Sequence, residues 1–447
     1  MYSCLRSTLS AFGLIMLVGC QAYQAKPLDA PAHIANWHNR SPDDESVRDF
    51  ARRLALQESN PPVFNPADGL TLPEAEVVAL VFNPDLRLAR LRANVALASA
   101  QHAGRWDDPQ LAIDVLKIAD SVANPWLIGG SLALTLPVSG RLKVEKSRAD
   151  AAHQAELAGV AESEWQTLRD LRMTWLEWSA NHLRLQETER VVSALNAIEE
   201  TTGRLAEAGE LPRTEATLFT VEQETRRAHI IRLRARVAEE EQEIRALLGL
   251  SPTAPVRLLP GAAGSSNTRP VPKLEHTNPT LIRLQSEYAV AELTLLREIR
   301  KQYPDVELGP QFEREDGQSK IGLIGAVPLP ILNSNRGGIA TARAERELAG
   351  AAFETGIERI EGRLATLRAR LEGARAARAA IESNVVPLVD RQLADARRLV
   401  ELGEGGSLVL LESLTRAHQA KLDLIEARHN ELVTENEIRH LLGPGSR

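Results

Sequence analysis

The residue types that do chemistry are thinly spread in this chain. Ten histidines are scattered along 447 residues, with no His-Glu-x-x-His pair, no cysteine pair and no glycine-rich loop running into Lys-Ser or Lys-Thr. Of the three methionines one is the initiator and another is Met16, so there is no soft-donor relay for a thiophilic metal. His418 and His429 fall eleven positions apart in a helical stretch, about three turns, too far to share an ion; solvated helix positions account for them. Trp165, Trp175 and Trp178 have rings that could stack on a cofactor, but their spacing fits packing knobs better. No catalytic residue, cofactor or metal is expected, and the chain reads as a non-enzyme.

The one position with a definite covalent chemistry is Cys20. Arg6 precedes an apolar run, Leu9 to Gly19, that is too short to cross a membrane as a helix. The sequence Leu17-Val18-Gly19-Cys20 resembles a bacterial lipobox, in which cleavage before the cysteine is followed by acylation of its sulfur and its new amino group. Residues 1–19 are then a signal peptide, Cys4 leaves with them, and the remaining chain holds one cysteine and no disulfide. Acyl chains anchor such a protein in lipid at about 0.8 kcal/mol per buried methylene. Gln21, in place of aspartate, fits transfer to the outer membrane. The competing reading is a plain secretory peptide with an incidental cysteine.

Composition describes the elements that must position anything else. Aromatics make up 4% and charged residues 25%, and Ala, Leu, Arg and Glu dominate, as in long helices with narrow apolar faces. The net charge is -7, and Lys and Arg are dispersed rather than gathered in a basic block, which argues against nucleic acid as a partner.

The chain also repeats itself. A segment opening Asn-Pro-Asp-Leu at Asn83 returns as Asn-Pro-Thr-Leu at Asn278, an offset of 278 - 83 = 195, and Pro109 maps onto Pro304 by the same step. Glu-Ile-Arg-Ala-Leu-Leu-Gly from Glu243 returns as Glu-Ile-Arg-His-Leu-Leu-Gly from Glu437, an offset of 194. The expected division is a signal peptide at 1–19, a lipid-anchored tether and wrap at 20–72, a first repeat at 73–250, a Pro/Gly/Ser-rich linker at 251–277, a second repeat at 278–443, and a tail at 444–447. The tether is expected to hold at most one short helix, near Asp44 to Gln57.

Each repeat has the same order of elements. A helix opens it, expected over Pro73 to Gly104 and Pro279 to Gln302. Two strand-like segments follow, Gln110–Ile118 and Ser131–Val138 in the first copy, Asp305–Glu315 and Ser319–Leu329 in the second. Leu132, Leu134, Leu136 and Val138 share one face, and Val306, Leu308 and Phe312 oppose Asp305, Glu307, Gln311 and Glu313. Then comes a rod with no proline from Lys143 to Leu205, striped by Leu168, Leu171, Trp175, Trp178, Leu185, Val192 and Leu195 at coiled-coil spacing. It breaks at Ala208–Pro212, and its counterpart at Leu402–Ser407, before helices return over Thr214–Leu248 and Leu408–Leu442. In the second copy Pro328 and Pro330 are expected to end the last strand, with Asn333 to Gly338 turning the chain into a helix beginning near Ile339.

Four strands in lipid cannot stand alone, because an open sheet leaves unpaired edges where no water can satisfy them. Strands of about 9 to 11 residues suit a tilted membrane crossing, and closed outer-membrane barrels begin at about eight strands, so more than one chain must contribute. The fold class expected is mainly α with a small membrane β part: long coiled-coil hairpins plus four strands per chain.

The duplication, the Asn-Pro-x-Leu openings at Asn83 and Asn278, the junctions Leu136–Ala151 and Val327–Glu347, the hairpin tips and the closing Leu-Leu-Gly at Leu247 and Leu441 together resemble the TolC-like outer membrane factors. Coverage runs from about Leu70 to Gly443, and the second junction is most similar to the heavy-metal branch, the CzcC- and CusC-like channels. The resemblance implies a homotrimer whose strands form one outer-membrane β-barrel and whose helices continue as a periplasmic α-barrel. It implies a passive duct, with energy supplied by an inner-membrane pump of RND or ABC type and a periplasmic adaptor docking at the hairpin tips. Here those tips are Arg204, Gly209 and Glu210, and Arg398, Gly403, Glu404 and Ser407. It also implies acids six and nine positions after the second tip glycine that ring an aperture; from Gly403 these are Val409 and Glu412, so Glu412 alone is the aperture candidate. The first copy, counted from Gly209, has Glu215 and Leu218 there.

Three other readings compete: a type I secretion channel, a lipid-anchored periplasmic adaptor, and a structural coiled-coil protein. An adaptor should have one hairpin flanked by lipoyl-like strands rather than two tandem hairpins each preceded by a strand pair, and a coiled coil leaves the alternating strands idle. Metal cations, drugs, solvents and polypeptides all remain compatible as cargo.

Overall fold

The computed structural model describes residues 23–56, 64–119, 125–261, 274–315, 318–402 and 406–444. The signal segment, Cys20, Gly403, Glu404 and residues 262–273 of the linker lie outside the described residues. The chain forms two units, Met1–Arg40 and Ser41–Arg447. In the first, α1 (Ala30–His38) starts where the Asp29 carboxylate accepts from the Ala32 N–H at 2.9 Å and Pro31 sits in the first turn. The expectation of at most one helix ahead of the first repeat is therefore corrected: α2 (Glu45–Ala55) matches it, and α1 is additional.

In the larger unit the expected opening helix is two. The first, α3 (Leu72–Phe82), carries a Thr71/Glu74 capping box; the second, α4 (Pro84–His102), begins again one residue after Asn83. Pro84 lacks the N–H that would continue α3, so Asn83 becomes both an end and a new cap. Next come β1 (Gln110–Lys117), β2 (Trp126–Leu136), α5 (Arg141–Glu207) and α6 (Arg213–Leu247). The second repeat runs α7 (Leu274–Thr277), α8 (Pro279–Arg300), β3 (Val306–Glu315), β4 (Gln318–Ala326), α9 (Arg336–Ala380), a π-helical turn at Ile381–Val385, α10 (Val386–Glu401) and α11 (Ser407–Leu442). The 67 residues of α5 reach about 100 Å at about 1.5 Å each. Its counterpart is interrupted because Pro387 cannot donate into an α-helical ladder, and the π turn absorbs the missing bond.

The sheet is antiparallel in the order β1-β2-β3-β4. The helices repeat that order: α4, α5, α8 and α9 lie side by side next to the sheet, and α6, α5, α11 and the α9–α10 rod lie side by side toward the tips. Thus α5 and α9–α10 run the full length, while α4 stacks end to end on α6, and α8 on α11. The main core sits at the level of that stacking. Leu171, Trp175 and Trp178 of α5 pack there against Ala75, Val78 and Ala79 of α3, Ile244 of α6, and Val47 of α2. A parallel bridge between Leu70 and Leu258 closes the same region.

Candidate functional site: a two-faced sheet, its junctions and the hairpin tips

Cross-strand register sorts the sheet into two faces. Leu111, Ile113 and Val115 pair with Leu132, Gly130 and Ile128; Leu134 and Leu136 pair with Leu308 and Val306; Phe312 pairs with Gly130 and Ile321, and Pro310 with Leu323. Paired residues share a face, so one side of all four strands is a continuous apolar surface. Asp114, Ser131, Thr135, Glu307, Gln311 and Glu313 occupy the other side. The apolar surface is bare: Ile113 is 69% exposed, Ile321 86% and Leu323 81%. An uncovered apolar face of this extent marks contact with lipid or with other chains. No helix among the described residues is long and apolar enough to cross a membrane. The outer edges of β1 and β4 pair with no other strand among the described residues. Pro310 opens a gap in the β2–β3 ladder, and Gly309 beside it has no side chain because a Cβ would run into the Leu132 carbonyl.

At the second junction β4 ends at Ala326, three residues short of the expected Leu329, so that Pro328 and Pro330 both lie beyond the ladder they cannot donate to. The turn itself corrects the sequence reading. Ser334 and Asn335 hold positive φ, 46° and 52°, and α9 starts at Arg336, three residues before the expected Ile339, with Gly337 and Gly338 inside its first turn. The left-handed conformation is stabilised by Asn335 Nδ2, which donates to the Glu298 carbonyl at 2.8 Å and to its carboxylate at 2.9 Å. Gly338 is required because a Cβ would press on both partners. Burial works against the charged form of Glu298, but hydrogen bonds from Lys301, Asn335 and Arg297 outweigh it and hold the carboxyl at about 2. At the first junction Gly140 (φ 70°) makes the turn, and Arg141 donates to Asp305 at 2.7 Å and to Asp107 at 3.0 Å, tying the two repeats together.

The weak Asn-Pro and Leu-Leu-Gly motifs turn out to be one device. Asn83 Oδ1 accepts from the Asp85 and Leu86 N–H groups, capping α4, while its Nδ2 donates to the Leu247 carbonyl at the end of α6 at 2.9 Å. Asn278 repeats this, accepting from Leu281 at 3.1 Å and donating to Leu441 at 2.7 Å. Gly249 and Gly443, both at positive φ, bring the ends close: a Cβ on either would meet the carbonyl of Phe82 or Thr277. The signal was legible, since Asn-Pro and Leu-Leu-Gly recur at nearly the same offset, but sequence reasoning did not connect them.

The two C-terminal histidines are also corrected. His418 is 1% exposed with neither ring nitrogen partnered, and His429 Nε2 lies 2.8 Å from Glu177. Eleven residues is close to three turns, so both share the face of α11 that packs toward α5 rather than solvent. Burial first, then the charges of Arg226, His229 and Lys421, push the His418 pKa down to about 4. Trp175 and Trp178 are core residues, and Trp165 donates to the His440 carbonyl at 2.8 Å while the Arg172 guanidinium lies 5.4 Å from its ring, so packing is their role here. Among the described residues no three His, Cys, Asp or Glu side chains form a metal group.

At the tips, Gly209 adopts φ 78° and the Glu210 N–H returns to the Leu205 carbonyl at 2.9 Å. Arg204, Gly209, Glu210 and Arg398 are exposed. Ser407 donates to Glu215 at 2.8 Å, linking the start of α11 to the start of α6, a contact the sequence did not reveal. Glu412 is exposed and accepts from Arg416 one turn on at 2.5 Å. A cleft of about 440 Å³ opens between α5 and α6 near the first tip, lined by Glu199, Glu200, Arg204, Glu207, Gln223 and Arg227 among others.

No protein-family description matches the chain, and no curated protein matches its sequence. Solved structures do match it in fold. The outer membrane protein VceC from Vibrio cholerae gives a TM-score of 0.72 at 15% identity, over 84% of this chain and 97% of that one. The outer-membrane channel OprN gives 0.73 at 16% identity over 96% and 99%. CusC, described with its transmembrane channel formation, gives 0.71 at 15% identity over 95% and 100%. The likeness to CusC is no greater than to the other two, so the expected heavy-metal branch is not singled out.

Proposed function

We propose that this chain, which has the fold of the TolC-like outer-membrane channels, is the outer-membrane exit duct of a tripartite efflux system. The observation that carries the reading is the sheet: one bare apolar face, one polar face, and two open edges. In an even-stranded antiparallel sheet, β4 of one copy and β1 of the next are antiparallel, so identical copies can close head to tail without leaving an edge. Apolar residues are also exposed on both outer helices of the layer, Leu88, Leu91 and Val95 on α4 and Leu348 on α9, where neighbouring copies would meet. Three copies give twelve strands; the number three is taken from the resemblance.

The remaining assignments belong to the same proposal. Cys20 carries the lipid anchor in the outer membrane of a Gram-negative cell, and the helices extend into the periplasm. The tips at Arg204, Gly209, Glu210, Arg398, Gly403, Glu404 and Ser407 receive the adaptor beneath which the inner-membrane pump works. Glu412 supplies one carboxylate per copy to a ring that concentrates cations in the closed aperture. The duct itself performs no catalysis. The two-faced sheet disfavours an adaptor or a simple coiled coil, neither of which needs a bare apolar strand face.

The test is carbonate-washed outer membrane examined by gel migration with and without heating, followed by planar-bilayer recording of the purified chain. A heat-modifiable oligomer that conducts is expected; a species extracted by carbonate, or one with no conductance, would sink the proposal. Glu412→Ala is expected to weaken cation selectivity of single channels, and unchanged selectivity would remove Glu412 from the aperture.

A further inference from the structure

The register of the sheet also sorts its charges. Among the described strand residues every carboxylate, Asp114, Glu307, Glu313 and Glu315, lies on the polar face together with Lys320. The apolar face carries only two charges, Lys117 and Arg314, and both are positive. They stand at the same end of the sheet, where β1 and β3 finish and β2 and β4 begin, the end away from the helices. Trp126 lies beside them: it pairs with Lys117 in the ladder, and the ammonium is 5.7 Å from its ring centroid. Both cations are exposed, and neither forms an ion pair among the described residues.

The physical chemistry of a bilayer accounts for this arrangement. A cation in the hydrocarbon is costly, but a long side chain at the rim of an apolar face extends its head to the headgroup level while its stem stays in the apolar layer. An indole ring settles at the same depth. Phosphates sit at that level, and the carboxylates of the described strand residues, which would repel them, lie on the opposite face. We propose that Lys117, Trp126 and Arg314 form a binding site for the phosphate of an anionic lipid headgroup in the leaflet at the turn end of the sheet. This rests on the reading of the sheet as membrane-inserted.

The full-length protein in detergent is incubated with diphosphoryl lipid A or with its dephosphorylated counterpart, and retained lipid is counted by native mass spectrometry. Preferential retention of the phosphorylated lipid is expected. Lys117→Gln with Arg314→Gln should weaken it about thirtyfold, each cation contributing about fivefold, and Lys117→Arg with Arg314→Lys should restore it. Inorganic phosphate at millimolar concentration should not displace the lipid; full displacement would mean an anion subsite rather than a lipid site and would overturn the assignment. Equal retention of the two lipids, or no effect of the double Gln substitution, would also overturn it. Heat-modifiable migration is read on every sample. If the unsubstituted chain lacks it, the membrane reading fails as well; if it is present and the lipid preference is absent, only this proposal fails. Variants that lose it are replaced by the single substitutions.

Discussion

Asn278→Ala tests whether the end-to-end splice of α8 on α11 stabilises the rods. The side chain is 3% exposed and makes two separable bonds: Oδ1 accepts the Leu281 N–H at 3.1 Å, and Nδ2 donates to the Leu441 carbonyl at 2.7 Å. Loss of the cap costs about 1 kcal/mol. The Leu441 carbonyl lies in the last turn of α11, has no intrahelical donor, and would be left without this partner, at about 1–3 kcal/mol. The expected total is about 2–4 kcal/mol. Asn278→Asp keeps the cap but has no N–H for Leu441 and sets a carboxylate oxygen against that carbonyl, so it should lose at least the second contribution. Asn83→Ala, with the same geometry in the first repeat, should fall in the same range. Guanidinium unfolding of the detergent-solubilised protein, followed by far-ultraviolet circular dichroism, provides the comparison. If Asn278→Ala stays within about 0.5 kcal/mol of the unsubstituted chain, the range of an ordinary surface change, or if Asn278→Asp is fully stable, the splice is not a stabilising device.

Three further outcomes follow from named geometry. Gly249→Ala places a side chain at φ 68° against the Phe82 carbonyl and should cost at least about 1–2 kcal/mol in the same unfolding assay. The buried His418, with a pKa near 4 in the folded chain against 6.5 in the free side chain, binds its proton more readily when unfolded; stability should fall as pH drops from 6.5 toward 4. His418→Leu should flatten that limb and be the more stable form at about pH 5, and an identical pH dependence in both would refute the assignment. Glu298, held at about 2 against 4.5, contributes stability that is present above 4.5 and lost as pH falls toward 2. Glu298→Gln should remove that acid limb and lower stability near neutral pH; a retained limb in acid titrations of the unfolding midpoint would argue against the junction network.

What the sequence determined by itself was whatever rests on local pattern. The twofold repeat, the proline-free rod of α5, the breaks at Ala208 and Leu402, and the alternation along β2 and β3 all follow from residues within a few positions of one another. The structure decided what depends on residues distant in sequence. Asn83 was legible only as the opening of a repeated motif, because the bond that gives it a second role is to a carbonyl 164 residues away. Ser334 and Asn335 take the left-handed turn, although glycines stand two and three residues on, because Glu298 happens to be placed to bind Asn335. His418 and His429 looked solvated because a single helix does not show which of its faces its neighbours will cover; packing buries His418 and half-buries His429 against Glu177 of α5. The charge segregation of the sheet likewise exists only in the register, since the mixed sequences of β1 and β4 acquire faces when paired with β2 and β3. Periodicity is written along the chain, whereas the partners that turn a stripe into a face, and a motif into a splice, are brought together only by the fold.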